Sequence, residues 1–144
     1  MHTPYAFLDP ALSEEEREHH EMLVRRSLKC CSLTGSSVCV FHPDTSADPD
    51  RPAKQSRAGN LEYFRRLMAE AARLDLALEN MCDYSIAPKR KFFAMPEEIV
   101  DFIDPFGDHR LRVCWNCEHG DIQEIDQTAA LQLFGQSPEG DTCF

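Results

Sequence analysis

Long hydrophobic runs are missing from this chain: no apolar stretch in its 144 residues approaches the roughly 20 needed to span a bilayer. The opening stretch, MHTPYAFLDPALSEEE, has neither a charged n-region nor an apolar h-region and is not expected to act as a signal peptide. Basic charge is scarce, with 15 Lys and Arg against 25 Asp and Glu and a net charge of -10. Binding to a phosphate backbone runs on clustered Lys and Arg, so the balance argues against nucleic acid as a partner. The densest basic run, Lys89-Arg90-Lys91, reads as a solvated loop. A second C-x-x-C is lacking too. Cys114 and Cys117 form the one such pair, which excludes a zinc ribbon. A thioredoxin-like dithiol needs its cysteines at a helix N-terminus, where the dipole lowers the thiol pKa. Cys114 instead falls inside a predicted strand, and the next helix is predicted to begin only near Asp126. The seven cysteines therefore read as free thiols in a reducing, cytoplasmic compartment, with no membrane partner. Low-complexity segments and hairpin signals are absent as well.

What the chain does contain is an alternation of helix and strand signals. Ser13 and Glu16 form a capping-box pattern, opening a helix predicted to run to about Ser32, with Gly35 just past its end. SVCVFH (37–42) reads as a short buried strand, followed by a polar, Pro- and Asp-rich loop over 43–56. A second helix is predicted from near Arg57–Asn60, with Leu61, Phe64, Leu67, Met68, Ala71 and Ala72 on one face. LDLALEN (74–80) is a second strand, followed by a loop of about fifteen residues. Pro96 opens a third helix, with Glu97 and Glu98 suiting its positive end, and Pro105 stops it. LRVCW (111–115) is the third strand. Asp126 caps a last helix, QTAALQLF, which Gly135 ends. Strands that alternate with helices and lack hairpin turns indicate parallel βαβ units. At this length a single domain is expected.

Chemistry in parallel α/β folds gathers at the C-terminal ends of the strands. Those ends carry His42, Glu79 and Asn116, spaced 37 residues apart each time. Each residue type can bind a metal or move a proton, and three in register point into one mouth. Each also has a plainer reading. His42, before Pro43, can bond a loop carbonyl; Asn116 suits a turn or cap; His119 suits a loop. Glu79 resists the plain reading, because an acid closing an apolar strand is costly to desolvate unless paired or metal-bound. His2, His19, His20 and His109 read as exposed and receive no role.

The stretches VCVFHPDT, ALENMCD and VCWNCEH, in this order and at this spacing, resemble the xylose isomerase-like TIM barrels. That group holds sugar phosphate isomerases and epimerases and, more distantly, the endonuclease IV-type apurinic-site nucleases. The resemblance covers about 20–135 and leaves 136–144 as a tail outside the family pattern. It implies an α/β fold, a partial (β/α) TIM barrel with about three parallel strands and four helices. By position it implies that Glu79 is the family's metal-binding glutamate, which also serves as an acid/base in the epimerase branch. Asn116 takes the place of the metal-binding aspartate. His119 takes the place of a histidine that contacts substrate or a further metal. His42 matches a zinc ligand of the nucleases and a pocket residue of many isomerases. The implied catalytic pair is thus Glu79 and His119, and the implied metal set Glu79, Asn116 and His42.

The reaction the resemblance implies is proton abstraction beside the carbonyl of a small sugar or sugar phosphate, through an enediolate and with a divalent ion. Hard oxygen ligands favour Mn²⁺ or Mg²⁺, and added histidines favour Zn²⁺. Two departures temper it. Asn116 is neutral where the family has an aspartate. A TIM barrel also closes with eight strands over about 250 residues, whereas the strands here resemble the third, fourth and fifth. The first two are expected to be absent, and the sixth is expected to begin where the sequence ends. An incomplete, weakly active or inactive isomerase is therefore expected. The alternatives are a non-catalytic chain that covers its open sheet edges by homo-oligomerisation, and an apurinic-site endonuclease.

Overall fold

Ser13 opens the first helix by the mechanism its sequence predicts. In the computed structural model its hydroxyl accepts the Glu16 N–H at 3.3 Å, while the Glu16 carboxylate takes the Ser13 N–H at 2.8 Å. Two otherwise orphaned donors are satisfied reciprocally. Ser13→Ala is expected to lower stability by about 1 kcal/mol, read as a shift in the thermal unfolding midpoint. The structure describes residues 1–4, 12–43, 53–71, 73–82, 93–136 and 142–143, without the side chains of 53–56 and 142–143. Lys89-Arg90-Lys91, residues 44–52 and 83–92 of the two predicted loops, and most of the 136–144 tail lie outside the described residues.

Helix α1 spans Glu14–Thr34 and ends at Gly35, whose φ of 71° is the left-handed cap conformation that glycine adopts without a Cβ penalty. Strand β1 is Val38–Phe41, helix α2 Ala53–Glu70, strand β2 Asp75–Glu79 and helix α3 Pro96–Ile103, followed by a 3₁₀ turn at Asp104–Phe106. Strand β3 is Leu111–Cys114, helices α4 and α5 are Cys117–Ile122 and Gln127–Phe134, and strand β4 is Thr142–Cys143. The sheet runs β1-β2-β3-β4, with every pair parallel. Among the described residues no helix is long and apolar enough to cross a membrane.

Four details differ from the sequence reading. Helix α2 begins at Ala53, inside the stretch expected to be loop. Helix α4 is additional to the four predicted helices: it is under two turns long and contains Gly120, so it carries no apolar periodicity to detect. Strand β4 pairs Val113 with Thr142 and Cys114 with Cys143, within the stretch read as a tail. Residues Met1–Thr3 lie along the free edge of β1, with the Thr3 N–H donating to Val40 O at 2.9 Å and the Val40 N–H to Met1 O at 2.7 Å. A parallel segment thus precedes β1, where none was expected.

Strand alternation separates the two faces of the sheet. Cys39 and Phe41, Leu76 and Leu78, and Leu111 and Val113 are in register, buried, and packed under the helices. Phe64, Leu67 and Met68 of α2, Ile99 and Phe102 of α3, and Phe134 of α5 complete this core, with Val24 and Leu28 from α1. The ring of Phe102 lies edge-on to Phe64 at 6.3 Å and to Phe93 at 5.5 Å, an arrangement the ring quadrupoles favour. The opposite face carries Asp75 and Arg112, ion-paired at 2.9 Å, with Glu79 at the C-terminal end of the same row. The buried face thus holds the sheet together and leaves the other free to carry polar chemistry.

Candidate metal centre at the strand ends

Glu79 ends β2 with its side chain on the open face of the sheet but only 8% exposed. A carboxylate so placed must find donors, and it finds three. His2 Nε2 lies 2.7 Å and His42 Nε2 3.3 Å from Glu79 Oε2, and the Asn116 amide donates to Oε1 at 2.8 Å. The imidazoles of His2 and His42 sit beside each other, ring centroids 4.3 Å apart. Burial pushes the Glu79 pKa up, but the hydrogen bonds from His42, Asn116 and His2 outweigh it and hold the group at about 2.

A carboxylate held below its ordinary value of 4.5 stabilises the fold above that pH, and the contribution is lost as pH falls through about 2. The metal-free chain is expected to lose stability over that acid window. Glu79→Gln is expected to flatten this part of a plot of unfolding midpoint against pH. A window identical in the variant would show that other carboxylates set it.

Asn116 is the N-cap of α4. Its Oδ1 accepts the N–H groups of Glu118 at 3.0 Å and His119 at 3.3 Å, while its own N–H and carbonyl are held by the side-chain amide of Asn80. Asn116 thus caps α4, as its plain reading has it, and the same amide reaches Glu79. His119, on α4, is buried and lies with Nδ1 2.6 Å from the Asn80 carbonyl and 3.8 Å from Glu79 Oε1. A carbonyl only accepts, so Nδ1 carries a proton. Asn80, fully buried directly after Glu79, thus ties the exits of β2 and β3 together.

All four residues singled out in the sequence, His42, Glu79, Asn116 and His119, converge on this end of the sheet. His2 joins them although the sequence marks it as an exposed terminal residue. Its side chain is indeed 48% exposed. Only its pairing beside Val40 brings it to Glu79, 77 residues away along the chain. No local pattern could have revealed this. The other histidines without an assigned role, His19, His20 and His109, lie on α1 and before β3, away from the strand ends. The cysteines take no part in the cluster: the six described are not joined in disulfides, with Cys31, Cys39 and Cys82 buried, while the side chain of Cys143 is outside the described residues.

Among the described residues, His2, His42 and Glu79 form the one group whose donor atoms all lie within 4.8 Å of one another. Ligands sharing one tetrahedral ion at about 2.0–2.2 Å from it stand roughly 3.3 Å apart. The His42–Glu79 separation of 3.3 Å already matches that spacing, and the 2.7 Å His2–Glu79 hydrogen bond needs only a small opening. The residues fit a divalent ion.

A parallel sheet with helices on one face and polar side chains gathered at its C-terminal strand ends is the arrangement of part of a TIM barrel, whose chemistry collects at that end. The chain belongs to the xylose isomerase-like TIM barrel family, whose model matches residues 1–136. Solved structures similar to it include sugar epimerases. A D-tagatose 3-epimerase-like protein matches with TM-score 0.77 and 17% identity over 96% of this chain and 52% of its own. The D-psicose 3-epimerase of Clostridium cellulolyticum H10, solved with D-tagatose, matches at 0.72 and 17% over 94% and 48%. The 3-keto-D-glucoside 4-epimerase of E. coli matches at 0.69 and 19% over 91% and 52%. The chain spans about half the length of these structures. No curated protein sequence matches it.

Proposed function

We propose that this chain carries part of a sugar isomerase/epimerase-type active site, with one divalent ion held by His2, His42 and Glu79. The observation that carries the reading is the convergence of these three side chains at the C-terminal strand ends. Two nitrogen donors and one carboxylate favour Zn²⁺, with Mn²⁺ the next candidate. A bound ion would polarise a sugar carbonyl and its neighbouring hydroxyl. The chain's own residues would do the rest. Glu79, anionic and hydrogen-bonded on both oxygens, is built to hold charge. His119, held by Nδ1 on the Asn80 carbonyl beside Glu79, is the side chain placed to take or return a proton.

Among the described residues Glu79 is the only carboxylate in the cluster. Proton shuttling through a pair of carboxylates, as the family resemblance implies, would need a second one. The chain by itself is therefore expected to bind the ion better than it turns over sugar. The test is calorimetric titration with Zn²⁺ and Mn²⁺, followed by NMR of a ketohexose in D₂O with the loaded protein. One ion per chain and slow deuterium incorporation beside the carbonyl are expected. Absence of both would overturn the reading.

His2 supports a second reading. Two histidines and one glutamate, with a position left for water, is also the ligand set of hydrolytic zinc sites. Cleavage of abasic duplex DNA that survives moderate salt would favour it, although the net charge of -10 opposes that substrate.

A further inference from the structure

We propose that Asn116 is a positioning residue for Glu79 and not a ligand, so that the site takes a single divalent cation through Glu79 Oε2 alone. The inference rests on the metal-site reading above. Three observations fix the Asn116 amide. Its Oδ1 takes the N–H groups of Glu118 at 3.0 Å and His119 at 3.3 Å, which only an oxygen can accept. Its Nδ2 must then be the atom 2.8 Å from Glu79 Oε1, donating to it. Its backbone is clamped in both directions by the side chain of Asn80, with Asn80 Nδ2 donating to the Asn116 carbonyl at 3.1 Å, so the residue stays in place and its side-chain oxygen cannot swing round without breaking the cap.

An amide nitrogen has no lone pair to give a metal. With its N–H seated on Oε1, that oxygen faces a donor. The free direction of the carboxylate is Oε2, where His2 and His42 stand at 2.7 and 3.3 Å. His119 does not open a second position on the Oε1 side, because its Nδ1 is spent on the Asn80 carbonyl. An aspartate at 116 would keep the cap with one oxygen and aim the other at Oε1. Two carboxylate oxygens at that separation repel unless a cation lies between them. Asn116 supplies a hydrogen bond in place of that cation.

The test uses the full chain and three variants, Asn116→Asp, Asn116→Ser and Asn116→Ala, with Zn²⁺, Mn²⁺ and Co²⁺ as probes. The unsubstituted chain is expected to bind one ion. Asn116→Ser keeps a capping oxygen and removes the donor to Glu79. It is expected to weaken binding about 10–100-fold, the usual cost of losing an outer-shell partner. The visible Co²⁺ bands should keep their positions in this variant, because the ligands are unchanged; Asn116→Ala should behave alike. Asn116→Asp is expected to bind Mn²⁺ more tightly, to shift the Co²⁺ bands, and to melt lower than the unsubstituted chain without metal. Co²⁺ bands that move in Asn116→Ser would make Asn116 a ligand and overturn the inference. Asn116→Asp with unchanged Mn²⁺ affinity and unchanged bands would do the same. No ion bound by the unsubstituted chain would overturn both the inference and the reading it rests on, whereas binding with the wrong variant pattern would overturn the inference alone.

Discussion

Glu79→Gln is expected to weaken divalent-ion binding by well over 100-fold, measured by calorimetric titration. Loss of an outer-shell partner alone costs about 10–100-fold, and Glu79 is the sole anion of the three-residue group. The substitution keeps the volume of the side chain but removes the charge on which His2, His42 and Asn116 converge. One carboxamide oxygen cannot replace two carboxylate oxygens as acceptor for three donors, and its NH₂ would face the Asn116 NH₂ or an imidazole N–H. The metal-free variant is therefore also expected to lose about 2–4 kcal/mol of stability, the range for disrupting charged hydrogen bonds away from water. Circular dichroism should show the helices retained. Ion affinity within a few-fold of the unsubstituted chain would remove Glu79 from the centre of the site.

Phe102→Ala is expected to cost about 3–5 kcal/mol, the range for removing a buried aromatic ring, and to bring the chain close to its unfolding threshold at room temperature. Phe102 is fully buried and contacts Phe64 from α2, Phe93 from the exit of the second βα loop and Phe106 from the 3₁₀ turn, so three segments lose their common neighbour at once. Phe93 has a φ of 70°, a conformation costly for a bulky side chain. Its buried ring packing and the bond from the Met81 N–H to its carbonyl, at 2.9 Å, hold it there. Chemical denaturation should show a lower midpoint with an unchanged slope. A loss below 1 kcal/mol would mean that the surrounding rings collapse into the space.

Much of the architecture was legible in the residues because it follows from local rules. The three principal strands are short apolar runs. The ends of α1 and α5 are written in Ser13, Glu16, Gly35 and Asp126, side chains or backbones that satisfy helix termini directly. Pro96 marks the first turn of α3 in the same way. Helix α4 escaped because its cap, Asn116, precedes a segment too short to show a hydrophobic period. The N-terminal segment and β4 escaped for a related reason: each is a few residues of edge pairing, created by contact with a strand far along the chain.

The candidate site divides along the same line. The sequence by itself determined that His42, Glu79 and Asn116 end successive parallel strands, because strand length and βα spacing are local properties, and parallel strands bring their ends to one side. Only the tertiary structure decided what those ends do together. It brought His2 from the first residues of the chain to Glu79, through backbone pairing with Val40 that no periodicity announces. It turned the Asn116 amide so that its oxygen caps a helix and its nitrogen meets the carboxylate, an orientation set by the N–H groups of Glu118 and His119. Residue type limits which atoms can donate and accept, but which of them meet is settled by contacts between residues 37 and 77 positions apart.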